Sequence, residues 1–331
     1  MARTKLLGLA AAAFLCAGAG PAFAMNGTLV ETTIASPHVP GPVAISIYTP
    51  PGYDAKRAAP YPLLIQLHGG GGSNKAMNEM APLLEEAITK GLIPPVVSVM
   101  PSAGRSFYMD FKDGSQKWET FVTEDLLSYM RKNTNVVQSR QGTFITGISM
   151  GGMGSLRMAF KHPELFQAVA SQEPGIEPAL AFDDIKLRDR FYRSDELFEQ
   201  IYGKPVDKAY WAANNPASIA ARDPQRLLGL GIYLEVGDQD MFYLVQGTEF
   251  LHRVLFDAGI GHEYRLVKGA DHVGASIAPR FLDAMGFIGR MINPPDWIDA
   301  RALAVRKFLE AQKRKAGYPV TPIDPDRIHS E

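Results

Sequence analysis

The sequence predicts an α/β fold: a mostly parallel central sheet with helices on both faces and a lid-like insertion. Three observations predict it. Strand-like and helix-like segments alternate from Tyr61 to Met291. Several of the strand-like segments are near-continuous apolar runs, as strands covered on both faces require. A Gly-x-Ser-x-Gly turn, Gly147 to Gly151, falls where one such run gives way to a helical pattern. The 331 residues, 46% hydrophobic and 21% charged with a formal net charge of −1, suffice for a large core. That balance holds neither the basic excess of a nucleic-acid binder nor an acidic tail.

The elements follow in order. "MARTK", the apolar "LLGLAAAAFLCAGAG" and the triplet Ala22-Phe23-Ala24 have the layout of a secretory signal peptide, residues 1–24, cleaved after Ala24. The apolar run is short for a membrane span, so no stable anchor is expected. Bulky Phe14 and Leu15 before Cys16 argue against lipid attachment there. Cys16 is the only cysteine and leaves with the peptide, so no disulfide is expected. Loss of Arg3 and Lys5 takes the formal charge from −1 to −3. Export to a periplasm or the medium follows.

"TLVETTIAS" and "VAISIYT" read as a strand hairpin joined through "PHVPGP". "YPLLIQLH" and "PPVVSVMP" are buried strands around the helical "MNEMAPLLEEAITKGL". "WETFVTEDLLSYMRKNT" is amphipathic and helical, "GTFITGI" a strand, "GGMGSLRMAFKHP" a helix stopped by proline, and "FQAVASQ" a strand. Residues from about 173 to 226 break the rhythm with charges, aromatics and prolines, and read as the insertion. It holds Phe182, Phe191, Tyr192, Phe198, Tyr202, Tyr210 and Trp211, read as packing the insertion on itself in preference to lining an aromatic pocket. The strand "LGIYLEVG", a helix from Gln246 to Ala258, the strand "HEYRLVKG" and a helix from Ala275 to Met291 complete the alternation. "WIDARALAVRKFLEAQKRK" is a helix in a C-terminal extension from about 294 to 331. No linker divides residues 25–331, which read as a single domain.

The chemistry starts at Ser149. A sharp strand-to-helix turn needs glycine two residues either side and lifts the serine above the sheet at a helix N-terminus. Free backbone N–H groups there favour a developing negative charge. Serine alone is a weak nucleophile and needs a base oriented by an acid. In this architecture the order is serine, acid, histidine. Of the seven histidines, His162 lies about three helical turns from Ser149, His252 is inside a helix and His262 opens a strand. His272, in the glycine-flanked loop "KGADHVGA" after a strand, is the candidate base. Asp238 and Asp240 both follow Gly237 at the tip of the preceding strand. Asp240 is preferred because Asp238 fits the turn role of aspartate beside glycine, and Asp238 stays as the alternative. Asp271 is disfavoured because its side chain should diverge from its neighbour's. The oxyanion hole is assigned to the N–H of Met150 and of Gly70 or Gly71, in "LHGGGGSN". His68 supports that loop. The loop lacks the Lys-Ser/Thr ending of a phosphate binder. No cofactor fingerprint and no metal-ligand cluster is read.

The segments "LLIQLHGGGGS", "SFYMDF", "ITGISMGGMGSLRMAFKHPELFQAVAS", "VGDQDMF" and "GADHVGA" carry a resemblance, with Trp118 to Ser171 the most specific part. The chain resembles the α/β-hydrolase superfamily. Within it the chain is similar to the esterase family that holds esterase D (S-formylglutathione hydrolase), feruloyl esterases, enterochelin-type esterases and the mycobacterial mycolyltransferase antigens. The resemblance implies Ser149 as nucleophile, His272 as base and Asp240 as acid. It implies a serine carboxylic-ester hydrolase working through an acyl-enzyme on small-molecule or glycan-linked esters. The alternatives are acyl transfer by the same triad and a feruloyl- or acetyl-type esterase acting on polysaccharide-linked esters. Val273-Gly274 and the long C-terminal extension depart from the family pattern, which weakens the formylglutathione assignment. Trp118 and Glu119 are expected to pack and cap a helix. A non-catalytic binding protein on this fold is disfavoured by the intact set of groups, and a peptidase by the lack of a peptide-terminus clamp.

Overall fold

The structure, a computed structural model, describes residues 25–295 and 299–318. The expected signal peptide, with Cys16, lies outside the described residues, as do Trp297 and Ile298 at the start of the expected tail helix.

β1 (Thr28–Ile34) and β2 (Val43–Thr49) form an antiparallel hairpin, with Thr28 opposite Thr49 and Ile34 opposite Val43. There follow β3 (Leu63–Leu67), α1 (Met77–Thr89) and β4 (Val97–Pro101). α2 (Trp118–Thr120) runs through a π-helical turn (Phe121–Leu126) into α3 (Leu127–Asn133). β5 (Thr143–Ile148), α4 (Met150–Lys161) and β6 (Ala168–Gln172) come next. Between β6 and the next strand lie α5 (Asp195–Tyr202), α6 (Lys208–Asn214) and α7 (Pro216–Arg222). β7 (Gly231–Gly237), α8 (Leu244–Asp257), β8 (Glu263–Val267) and α9 (Ile277–Ile292) close the alternation.

The eight strands form one sheet in the order β1-β2-β4-β3-β5-β6-β7-β8. β2 meets both its neighbours antiparallel, and every pair from β4 through β8 is parallel. Every residue of β3, β4 and β6 is buried. The side-chain period of two divides their apolar residues between two cores. Leu63, Ile65 and Leu67 join Met153 and Leu156 of α4 on one face, and Leu64 joins Leu84 of α1 and Phe281 of α9 on the other. The parallel arrangement brings the C-terminal ends of β3, β5, β7 and β8 to one edge, where the connecting loops carry Gly69–Gly72, Ser149, Asp240 and His272.

The segment between β6 and β7 is packed into the protein. Phe198, Tyr202 and Trp211 are fully buried, and Phe182 meets Phe198 and Trp211 edge-on at 5.9 and 5.8 Å between ring centres. Two of its aromatics, Phe191 and Tyr192, face the other way, toward Phe242 in the loop after β7.

Glu119 does not cap its helix. It is buried and takes Arg157 and Lys161 as ion pairs and His162 at 2.7 Å, all from the α4 end, so it ties α2 to α4. Burial alone would raise its pKa; Arg157, His162 and Lys161 overcome that and hold it well below the usual carboxylate range. Arg157 is itself fully buried. Replacing Glu119 with Ala strands that guanidinium, and urea unfolding should show a loss of about 3–5 kcal/mol. A loss below about 1 kcal/mol would show the pair to be dispensable.

Among the described residues, those from Asn293 onward fall in a second compact unit, whose helix α10 (Ala300–Lys315) is capped by Asp299 accepting from the Ala302 N–H at 2.7 Å. Among the described residues no helix is long and apolar enough to cross a membrane.

Candidate active site

Ser149 sits between β5 and α4 with φ 59° and ψ −116°, in the positive-φ region that a non-glycine residue occupies only under constraint. Its N–H donates to the Gln172 carbonyl at 2.9 Å and its carbonyl accepts from the Gly175 N–H at 3.2 Å, so β6 and the loop after it clamp the turn. The flanking glycines are demanded by packing. A Cβ on Gly147 would lie 2.3 Å from the Gly151 carbonyl oxygen, and one on Gly151 would lie 2.1 Å from that of Leu67.

His272 and Asp240 join this turn from the loops after β8 and β7. The Ser149 Oγ is 3.1 Å from His272 Nε2, and His272 Nδ1 is 2.7 Å from Asp240 Oδ2. Asp240 Oδ1 accepts from the Phe242 and Leu244 N–H groups at 2.8 and 3.2 Å. The carboxylate is acceptor-only, so Nδ1 carries the imidazole proton and Nε2 is left to accept from the serine hydroxyl. Burial works to raise the Asp240 pKa, but hydrogen bonds from His272 and Glu173 hold it below the usual carboxylate range. The alternative acid, Asp238, is a turn residue: its Oδ1 accepts from the Gly269 N–H at 2.6 Å. Asp271 likewise accepts from the Met241 and His272 N–H groups, at 2.9 and 2.7 Å, and lies off the ring.

The glycine loop after β3 is a tight turn in which the Gly72 N–H donates to the Gly69 carbonyl at 3.1 Å, and Gly71 takes φ 82°. A Cβ on Gly69 would stand 3.6 Å from that of Ser149, so the loop runs beside the serine. Among the described residues the N–H groups of Gly70, Gly71 and Met150 have no hydrogen-bond acceptor. His68, buried beneath, accepts from the Ala103 N–H through Nε2 at 3.0 Å and donates from Nδ1 to the Gly69 carbonyl at 2.8 Å. Burial depresses its pKa against the opposing effect of that bond, which keeps the neutral form this pattern needs. Tyr108 donates to the His68 carbonyl at 3.3 Å.

Two groups at the site escape sequence reasoning. The Phe242 ring stands edge-on to the His272 ring at 4.6 Å and stacks at 6.0 Å on half-exposed Phe191. Glu173, Glu235 and Arg280 form a buried cluster close to Asp240, in which the Arg280 guanidinium bonds both other carboxyl groups. Glu173, Asp240 and His272 each bring a ligand-type atom within 4.8 Å of the others. This trio is ill suited to a cation: His272 Nδ1 is turned to Asp240, and the Arg280 guanidinium already sits on Glu173.

Comparison with known proteins agrees with this arrangement of elements. An esterase of Mycobacterium tuberculosis is 29% identical over 247 residues, covering 70% of this chain and 52% of that protein. The acetyl esterase of Caldicellulosiruptor saccharolyticus is 34% identical over 179 residues, 53% of this chain and 65% of that protein. The chain thus spans between half and two thirds of the length of these relatives. Among solved structures, an S-formylglutathione hydrolase from Agrobacterium tumefaciens superposes with a TM-score of 0.65 at 20% identity, over 82% of this chain and 97% of that one, and shares the fold. The "Putative esterase" family model matches residues 36–283, which include the serine turn, the glycine loop and the loops of Asp240 and His272, and the chain belongs to that esterase family.

Proposed function

We propose that this chain is an exported serine carboxylic-ester hydrolase, with Ser149 as nucleophile, His272 as general base and Asp240 as the acid that orients it. The observation that carries the reading is the unbroken row Asp240–His272–Ser149 at 2.7 and 3.1 Å. Family membership supports the reaction class. Nε2 takes the Ser149 proton as Oγ attacks the acyl carbon. The oxyanion is met by the N–H of Met150 with that of Gly70 or Gly71. The imidazolium, held by Asp240, returns its proton to the leaving alcohol, and water repeats the sequence on the acyl-enzyme. The substrate is a small-molecule or glycan-linked ester. The exposed Phe191 and Tyr243 rings near Phe242 favour an ester with an apolar part. Export rests on the signal-peptide layout of residues 1–24 and places the protein in a periplasm or outside the cell.

A fluorophosphonate probe tests the site. It should label the protein stoichiometrically, with the adduct on the peptide that carries Ser149, and phenylmethylsulfonyl fluoride should compete. An unlabelled protein that still hydrolyses p-nitrophenyl acetate would overturn the assignment.

A further inference from the structure

Glu173 is the first residue after β6, and the reading of the triad gives it no task. It is fully buried, and it holds φ 46° although it is not glycine. Its Oε1 accepts from the Gly237 N–H at 3.0 Å and from Arg280. Among the described residues no N–H or O–H group donates to its buried Oε2. Yet this carboxyl and that of Asp240, both buried, bring an oxygen each to within 4.8 Å of one another. Two buried carboxyl groups this close disfavour both being ionised, and one proton held by the pair removes the repulsion. Asp240 accepts from His272 and two backbone N–H groups, which all favour its anion. The proton therefore belongs on Glu173.

We infer that Glu173 is a positioning residue, a buried carboxylic acid that stays protonated at working pH and donates its O–H to Asp240, holding that carboxylate against His272. The inference rests on the triad reading above. The surrounding charges agree with it. Arg280 of α9 bonds Glu173 and also donates to Glu235 Oε1 at 2.5 Å, and Tyr233 of β7 donates to Glu235 Oε2 at 2.8 Å. Tyr192 from the insertion is the further titratable group near Asp240. With Glu173 neutral, the set Arg280, Glu235 and Asp240 carries one net negative charge, which an imidazolium at His272 cancels. With Glu173 ionised, Asp240 loses a donor and faces a second anion. Burial, reinforced by the Asp240 contact and opposed by Arg280, pushes Glu173 up to about 9. The group is thus neutral at neutral pH and loses its proton as the pH rises through that value.

The test is a pH profile of p-nitrophenyl acetate hydrolysis, from about pH 6 to about 10.5, for the wild type and the Glu173→Gln, Glu173→Ala and Ser149→Ala variants. The wild-type kcat/KM should fall above about pH 9. Glu173→Gln keeps a permanent donor toward Asp240 and an acceptor toward Gly237. It should retain wild-type activity at neutral pH to within about threefold, with the alkaline limb moved up by about one pH unit or more. Glu173→Ala should lose about tenfold to a hundredfold in kcat with little change in KM. Should that variant fail to fold, Glu173→Gln alone decides. An alkaline limb in Glu173→Gln that coincides with the wild type's, while Ser149→Ala is inactive, overturns this inference and leaves the triad standing. Full activity in Ser149→Ala overturns both.

Discussion

Ser149→Ala should lower kcat for p-nitrophenyl ester hydrolysis by about a million-fold, leaving only the rate that binding and the oxyanion donors sustain without a nucleophile. The loss should not be a folding defect. The Ser149 side chain caps nothing in α4, and the contacts that hold the turn run through its backbone to Gln172 and Gly175. Alanine at φ 59° meets much the same backbone cost as serine, so the thermal midpoint should move by no more than about 3 °C. His272→Ala should cost nearly as much as Ser149→Ala, and the double variant little more than either, because a nucleophile and its base act as one unit. Activity in Ser149→Ala within about tenfold of wild type, measured on protein freed of contaminating esterase, would remove Ser149 from the reaction.

The parts of this site that sequence could read are those fixed by local chain geometry. Gly147 and Gly151 announce the serine turn because each packs against backbone, at Gly151 and at Leu67, where no side chain fits. His272 is legible because a glycine-flanked loop after a strand leaves few histidines able to reach the serine. Asp240 was separable from Asp238 only by preference. The two are close neighbours beyond Gly237, and which of them faces His272 is set by a turn in which Asp240 N–H meets the Gly237 carbonyl and Tyr243 N–H meets the Asp240 carbonyl. Glu173 was unreadable for another reason. It stands where the insertion begins and looks like one of its charges, while its partner Arg280 is 107 residues away on α9. Glu119 failed as a helix cap because its partners Arg157, Lys161 and His162 come from a different helix. The insertion's aromatics read as one group, yet the fold sends Trp211 and Phe198 inward and Phe191 toward His272 through Phe242.

Asp240→Asn should cost about 10⁴-fold in kcat, and Asp238→Asn less than about threefold. The first figure follows from which way the new amide must face. Asp240 Oδ1 accepts two backbone N–H groups, from Phe242 and Leu244, and only an oxygen can stay there. The amide nitrogen is therefore placed at the Oδ2 position, 2.7 Å from His272 Nδ1. An NH₂ group in that place donates to Nδ1, so the ring proton moves to Nε2, and the acceptor lone pair that faces Ser149 Oγ is lost, which on the proposed mechanism leaves no base for the serine proton. The side chain is nearly isosteric and its backbone contacts persist, so folding is preserved while the tautomer is wrong. At Asp238 the same change keeps an oxygen for the Gly269 N–H, and nothing there touches the imidazole. Steady-state rates on one ester at neutral pH, with circular dichroism as the check on folding, decide between the two acids. A heavy loss in Asp238→Asn with Asp240→Asn near wild type would exchange their roles, and would mean that the loop after β7 rearranges when substrate binds.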